Sequence, residues 1–279
     1  MNILEAIKTD SVFVDGGTGT ELQKLGITCE PVLANVTYAL EVQTIYSEYI
    51  NVGANIVTAN TFGAYAHKYE NYAELISVAF TNARIAAGNK KVWVALDLGP
   101  TGLMLEPYGD VSCDEAAEIF AKTIDAGVKN LADFILIETM MDLNELEIAI
   151  VQAKKTGLPV FATMTFDSNG RTMYGTSISD MVKLAEKLGV DAVGMNCGSG
   201  LDVYKTLVPE LLALTQLPAI VQPNAGLPEV IDSKVNYDLS PEAFGAFMSD
   251  LKKQGVRVLG GCCGTTPAHI AEMVRMCAE

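Results

Sequence analysis

The sequence contains no apolar run of the about 20 residues needed to cross a bilayer. Basic charge is also scarce. Nineteen Lys and Arg stand against 34 Asp and Glu, for a formal net charge of −15. That balance argues against nucleic acid and anionic membranes as partners, because both require a basic patch. The opening residues, MNILEAIKTD, have neither the basic start nor the apolar core of a secretory signal. Six cysteines in 279 residues make no disulfide framework, so a reducing cytoplasm is the expected setting. Cysteines that cluster in such a setting read as metal or catalytic sites. No Pro- or Ser-rich linker and no low-complexity tract divides the chain.

Short, nearly continuous apolar runs recur along the chain, at residues 12–14, 55–59, 92–96, 134–137, 160–165, 192–195, 219–222 and 256–259. Unbroken apolar character is expected of strands buried on both faces of a parallel sheet. Helical patterns lie between them. Over residues 116–128, Ala117, Phe120, Ala121 and Ile124 share one face, and over 143–153 Leu146, Ile150 and Ala153 do the same. Ser240-Pro241 and Thr266-Pro267 fit a helix N-cap followed by proline. Gly127, Gly157 and Gly189 fall where helices are expected to stop. Eight strands alternating with eight helices predict a single (β/α)8 TIM barrel over residues 1–279, with an open doubly wound sheet as the alternative.

Chemistry in such a barrel gathers at the C-terminal ends of the strands. Those ends are where the unusual residues fall: Asp15-Gly16-Gly17, Asn60-Thr61, Asp97, Glu138-Thr139, Asn196-Cys197-Gly198, Pro223-Asn224 and Gly260-Gly261-Cys262-Cys263-Gly264. Turn formation explains the glycines but not three cysteines on the sixth and eighth strand ends. Three thiolates with one open position suit zinc, which accepts tetrahedral sulfur ligation and keeps a place for substrate in catalytic sites. A substrate thiol entering that place would lose its proton and become a nucleophile at neutral pH. Adjacent cysteines in a regular strand point to opposite faces, so the backbone is expected to leave the strand before Cys262. Inert buried cysteines and a redox pair remain the other readings of this spacing. Cys29, Cys113 and Cys277 have no comparable setting, and His67 and His269 read as surface or helix-end residues.

The motifs DGGTGTELQKLG, ANTFGA, LIETM, GMNCGSG, QPNAG and GGCCGTTPAHI occur in this order over essentially the whole chain. They resemble the homocysteine S-methyltransferase family, and most of all the homocysteine-binding module of cobalamin-dependent methionine synthase. The NCG and GGCCG pair is the specific part of that likeness. The resemblance implies a (β/α)8 barrel in which Cys197, Cys262 and Cys263 bind one zinc ion and the homocysteine sulfur is the fourth ligand. It also implies that Asp15 and Glu138 grip the substrate ammonium, which two carboxylates can do through charge-assisted hydrogen bonds. Backbone amides at Gly16, Gly17 and Thr61 would hold the substrate carboxylate, and Asn196 and Asn224 would shape the surrounding loops. Asp97 reads as a residue that bonds neighbouring loops.

The resemblance names the methyl acceptor and not the donor. The chain ends at Glu279, directly after the eighth expected helix, so folate, cobalamin and reactivation modules are not expected within it. Cobalamin would then act only through a partner, a separate corrinoid or methyl-folate protein. A small donor such as S-methylmethionine or betaine, or a module that turns over only inside a longer protein, are the alternatives.

Overall fold

The computed structural model describes residues 2–198, 200–231 and 234–278. Its strands are β1 (Val12–Phe13), β2 (Ile56–Ala59), β3 (Trp93–Leu98), β4 (Phe134–Met140), β5 (Val160–Met164), β6 (Ala192–Asn196), β7 (Ala219–Gln222), β8 (Pro228–Ile231), β9 (Lys234–Tyr237) and β10 (Val258–Leu259). Eight of them pair in parallel in the order β1-β10-β7-β6-β5-β4-β3-β2. The two ends of that series also meet. Val14 bridges Ile56 in parallel, Asn55 N–H donates to Phe13 O at 2.9 Å, and Asp15 N–H donates to Ile56 O at 3.1 Å. The sheet therefore closes into the expected barrel, and the open-sheet alternative falls because it would leave β1 and β2 as free edges.

More elements surround the barrel than the alternation predicts. The helices are α1 (Ile3–Thr9), α2 (Thr18–Lys24), α3 (Pro31–Thr37), α4 (Ala39–Asn51), α5 (Tyr72–Ala87), α6 (Cys113–Lys129), α7 (Leu143–Lys154), α8 (Ile178–Leu188), α9 (Leu201–Leu214), α10 (Pro241–Gln254) and α11 (Pro267–Ala278). One precedes the first strand, and three rather than one fill the connection from β1 to β2. β8 and β9 form an antiparallel hairpin over the mouth, between β7 and α10. Gly189 ends α8 in a left-handed conformation, as expected. Gly127 does not end a helix. It lies inside α6, where an added Cβ would strike the Leu96 side chain, so its smallness serves packing against β3. No helix among the described residues is long and apolar enough to cross a membrane.

Alternation along the strands divides the core in two. Ile135 and Ile137 of β4 face outward into the cluster beneath the helices. Phe134 and Leu136 face inward, where they join Ile56, Ala95, Phe161, Ala192, Ile220 and Val258. α1 closes the lower end of that interior with Ile3, Ala6 and Ile7, each at most 3% exposed. A capping box between Asn2 and Glu5 starts this short helix. Burying an aliphatic side chain of this size contributes about 1.5–3 kcal/mol. Toward the upper end, inward positions change character to Thr58, Asp97, Glu138, Thr163, Asn196 and Gln222, and this polar layer is the floor of a cavity.

Candidate active site

The cavity holds about 320 Å³ and is lined by the β1 loop from Gly16 to Thr20 together with Phe62, Asp97, Glu138, Gln222, Cys197, Cys262 and Cys263. Backbone bonds to the end of β7 bring the cysteines together. Cys197 N–H donates to Gln222 O at 3.0 Å, Cys262 N–H to Pro223 O at 2.9 Å, and Ala225 N–H to Cys263 O at 3.0 Å. As the paired cysteines require, β10 stops at Leu259. Cys262 and Cys263 then lie in a turn, closed by Thr265, whose N–H and hydroxyl both donate to Cys262 O. Gly17 permits the β1 loop to pass beside this turn, since a Cβ there would lie 2.7 Å from Cys262 O. Cys197 adopts φ +55°, a left-handed conformation that non-glycine residues hold only under constraint from their surroundings. Ser199, two residues on, lies outside the described residues.

The three sulfurs lie within 4.8 Å of one another. Sulfurs bound tetrahedrally at about 2.3 Å from zinc would stand about 3.8 Å apart, so a small contraction completes the site. Without a cation the trio shares its protons unequally. Cys262 and Cys263 donate to Cys197, which lowers its thiol to about 3, and the same contacts hold Cys262 well above its usual value and push Cys263 up to about 11. One thiolate clasped by two thiols is a donor set that a cation would complete by displacing the remaining protons. Outer partners surround it. Asn196 Nδ2 approaches Cys262 Sγ at 3.9 Å, Asn224 hydrogen-bonds Cys197, and the Tyr237 hydroxyl bonds Cys263. Tyr237 reaches that position from the hairpin by packing against Gly264, where φ is +79° and an added Cβ would strike the Tyr237 side chain. The residues present fit a three-sulfur zinc site.

The carboxyl groups lie on the other side of the cavity. Burial raises Asp15 to about 7, against hydrogen bonds from Thr58 N–H and Oγ1, both at 3.0 Å. Burial also raises Glu138 to about 8, with the negative charges of Cys197 and Asp15 adding to the effect and a Gln222 hydrogen bond opposing it. Asp97 is pushed well above the carboxylate range, first by burial and then by Glu138 and Asp15. Each would ionise more readily beside a positive charge.

Of the residues singled out in the sequence, Gly16, Gly17, Glu138 and the three cysteines line the cavity, whereas Asp15, Thr61 and Asn196 lie beneath it. Thr61 is fully buried. Its N–H donates to Ala59 O, its hydroxyl donates to Asp97 O at 2.8 Å, and it receives the Asp97 N–H at 3.0 Å. Asn196 is a brace. Its Oδ1 accepts from Thr139 N–H and Thr163 Oγ1, and its Nδ2 donates to Thr139 Oγ1, which fixes Thr139 at φ +60° directly after Glu138. Sequence reasoning passed over Gln222, Phe62 and Tyr237. Gln222 shares the inward parity of Ile220 and could have been found by counting, whereas nothing local marks Tyr237. Among the described residues, the buried side-chain oxygens with no partner in the protein are Thr18 Oγ1, Asp97 Oδ1, Gln222 Oε1 and Asn224 Oδ1, all four at this mouth. Buried polar atoms are satisfied as a rule, so their concentration here marks a surface shaped for a polar ligand.

Known proteins are similar to this chain. The homocysteine S-methyltransferase family model matches residues 12–277. Methionine synthase of Mycobacterium tuberculosis is 29% identical over 308 aligned positions, and that of Mycobacterium leprae 28%. Each alignment covers all of this chain but 25% of the relative, so the chain spans about a quarter of their length. Among solved structures, the metallated form of the homocysteine methyltransferase MmuM from Escherichia coli superposes with a TM-score of 0.80 at 23% identity, covering 95% of this chain and 96% of that one. Its oxidized form gives 0.83 at the same identity, over 99% of both. At that identity the likeness shows a common fold. With the family model spanning nearly its full length, the chain belongs to the homocysteine S-methyltransferase family.

Proposed function

We propose that this chain, acting as one homocysteine-binding unit over residues 1–279, presents the thiol of homocysteine for methylation to methionine. The observation that carries this reading is the triad of sulfurs, within 4.8 Å of one another, set across one cavity from buried carboxyl groups. Cys197, Cys262 and Cys263 would hold zinc, which supplies the positive charge that lets a thiol enter as thiolate at neutral pH. Glu138 faces the ammonium, and Asp15 adds negative charge from beneath the floor. On the lining of the β1 loop the Gly16 backbone receives the substrate carboxylate, while the Gly17 N–H, which donates to Thr265 Oγ1 at 3.1 Å, would have to be shared with it. Thr61 and Asn196 act through their neighbours, holding the Asp97 and Thr139 backbones in place. Catalysis on this reading is positioning plus activation of the nucleophile. A reducing compartment such as the cytoplasm would keep the three thiols free.

For the donor, alignment of the whole chain with a quarter of two methionine synthases favours a methyl group presented by a separate corrinoid or methyl-folate protein, with cobalamin held by that partner. The half-exposed Phe62 ring beside the carboxyl groups favours a second reading, a small cationic donor such as S-methylmethionine or betaine. The deciding experiment supplies zinc-loaded protein with homocysteine and, separately, methylcobalamin, methyltetrahydrofolate, S-methylmethionine or betaine, and assays methionine. Turnover with methylcobalamin alone supports the first reading, and turnover with a sulfonium or betaine supports the second. If Cys262→Ser protein retains one equivalent of zinc and unchanged homocysteine affinity, the proposal fails.

A further inference from the structure

Among the described residues, no hydrogen bond holds the side chain of Asp97 within the polar layer. Its backbone N–H and C=O are both bound by the Thr61 hydroxyl, so the loop contact expected of Asp97 is made by its main chain. Its carboxyl group is different. The residue is 7% exposed and lines the cavity, and Oδ1 is buried with no partner among the described residues. A carboxylate left unpaired in that way is costly unless a cation or a hydrogen-bond donor arrives. Nothing basic among the cavity-lining residues can serve, because none of them is Lys, Arg or His. The donor must come with the ligand.

The neighbours define its chemistry. Asp15, Asp97 and Glu138 project from the ends of β1, β3 and β4, close enough that Asp97 feels the charge of the other two and Glu138 that of Asp15. A primary ammonium carries three N–H donors on one positive centre. Asp97 and Glu138 line the cavity and can accept from two of them, whereas Asp15 lies beneath and its oxygens are already bonded by Thr58. We propose that Asp97 is a direct acceptor for the ammonium group of the substrate and makes this pocket selective for a thiol that carries a primary amine. This inference rests on the homocysteine reading given above and adds a specificity-determining residue to it. The raised proton affinity of Asp97 agrees with the geometry, since such a group gives up its proton when an ammonium docks.

The test compares two thiols on zinc-loaded protein by titration calorimetry: homocysteine, and 4-mercaptobutanoate, the same chain without the amine. Asp97→Asn is expected to weaken homocysteine at least tenfold and to leave 4-mercaptobutanoate within about twofold, with zinc content unchanged. Repeating the homocysteine titration in two buffers of different ionisation enthalpy should show fewer protons released by the variant. Because the side chain holds nothing in the fold, the melting temperature of the variant should equal or exceed that of the parent, and Asp97→Ser should behave alike. Equal losses for both thiols, or a lowered melting temperature in both variants, would assign Asp97 a structural role and overturn the proposal. Unchanged affinity for both would overturn it as well. A parent protein that binds neither thiol would refute the homocysteine reading itself, an outcome distinct from any defect of the variants.

Discussion

The two ends of the barrel are built on opposite principles. At the lower end, Ile3, Ala6 and Ile7 of α1 meet Val12, Ile56 and Phe134 in a plug built from apolar side chains. At the upper end three carboxyl groups and three thiols gather around one cavity, and four buried side-chain oxygens, Asp97 Oδ1 among them, have no protein partner among the described residues. The first arrangement stabilises the fold, and the second costs stability in exchange for a pocket complementary to a charged ligand. Natural proteins tolerate such local violations at functional sites when the remainder of the fold is consistent.

The contrast can be broken by experiment. Cys197→Ser should have the largest effect. Removing an outer partner of a metal ligand costs about 10–100-fold, and removing the ligand itself should cost more. Stoichiometric zinc by metal analysis and methionine formation should both fall at least about a hundredfold, while the melting temperature of the metal-free protein stays near that of the parent. Ile7→Ala should do the reverse, losing about 2–5 kcal/mol in urea denaturation with homocysteine KM unchanged. A shift in KM would show that the ends are coupled. Asp15→Asn sharpens the comparison through pH. The folded carboxyl titrates at about 7, above the unfolded value of about 3.9, so the native state holds a proton that the unfolded chain has released. The stability that Asp15 contributes is therefore present below about pH 4 and lost as pH rises toward 7. In the variant, the decline of stability between pH 5 and 7 should be shallower by up to about 1.4 kcal/mol per pH unit. Tyr237→Phe should have the smallest effect. One hydrogen bond to Cys263 is worth about 0.5–1.5 kcal/mol, so competition against a chelator should show zinc affinity lowered by up to about tenfold, the low end of the range for an outer partner.

The barrel was legible because its strands are continuous apolar runs, and every one of the eight expected runs became a strand with bounds shifted by a few residues. The three cysteines and Glu138 were legible from their place at strand ends. The extra helices after β1 were not, because no proline or glycine separates α3 from α4. The break there is a single residue, Tyr38, at φ −131° and ψ 44°. The hairpin escaped notice as well, since its two four-residue strands carry no long alternation and depend on the barrel rim for support. Asp97 and Thr61 show a subtler limit. Sequence position placed both at the mouth, but alternation along β3 turns Asp97 inward with Ala95, whereas Thr61, past the end of β2, spends its hydroxyl on the backbone of Asp97, a contact across 36 residues.

The α1 plug also sets the order of events. The interior between α1 and the cavity is filled by side chains, so on the proposed reading homocysteine enters and methionine leaves through the same mouth at which the methyl group is presented. Homocysteine must enter first, because its anchors lie on the floor, and a donor seated above it blocks departure until the donor has left. Steady-state kinetics should then be sequential and ordered, with excess donor trapping the product, and the packed apolar interior beneath the polar layer is the reason.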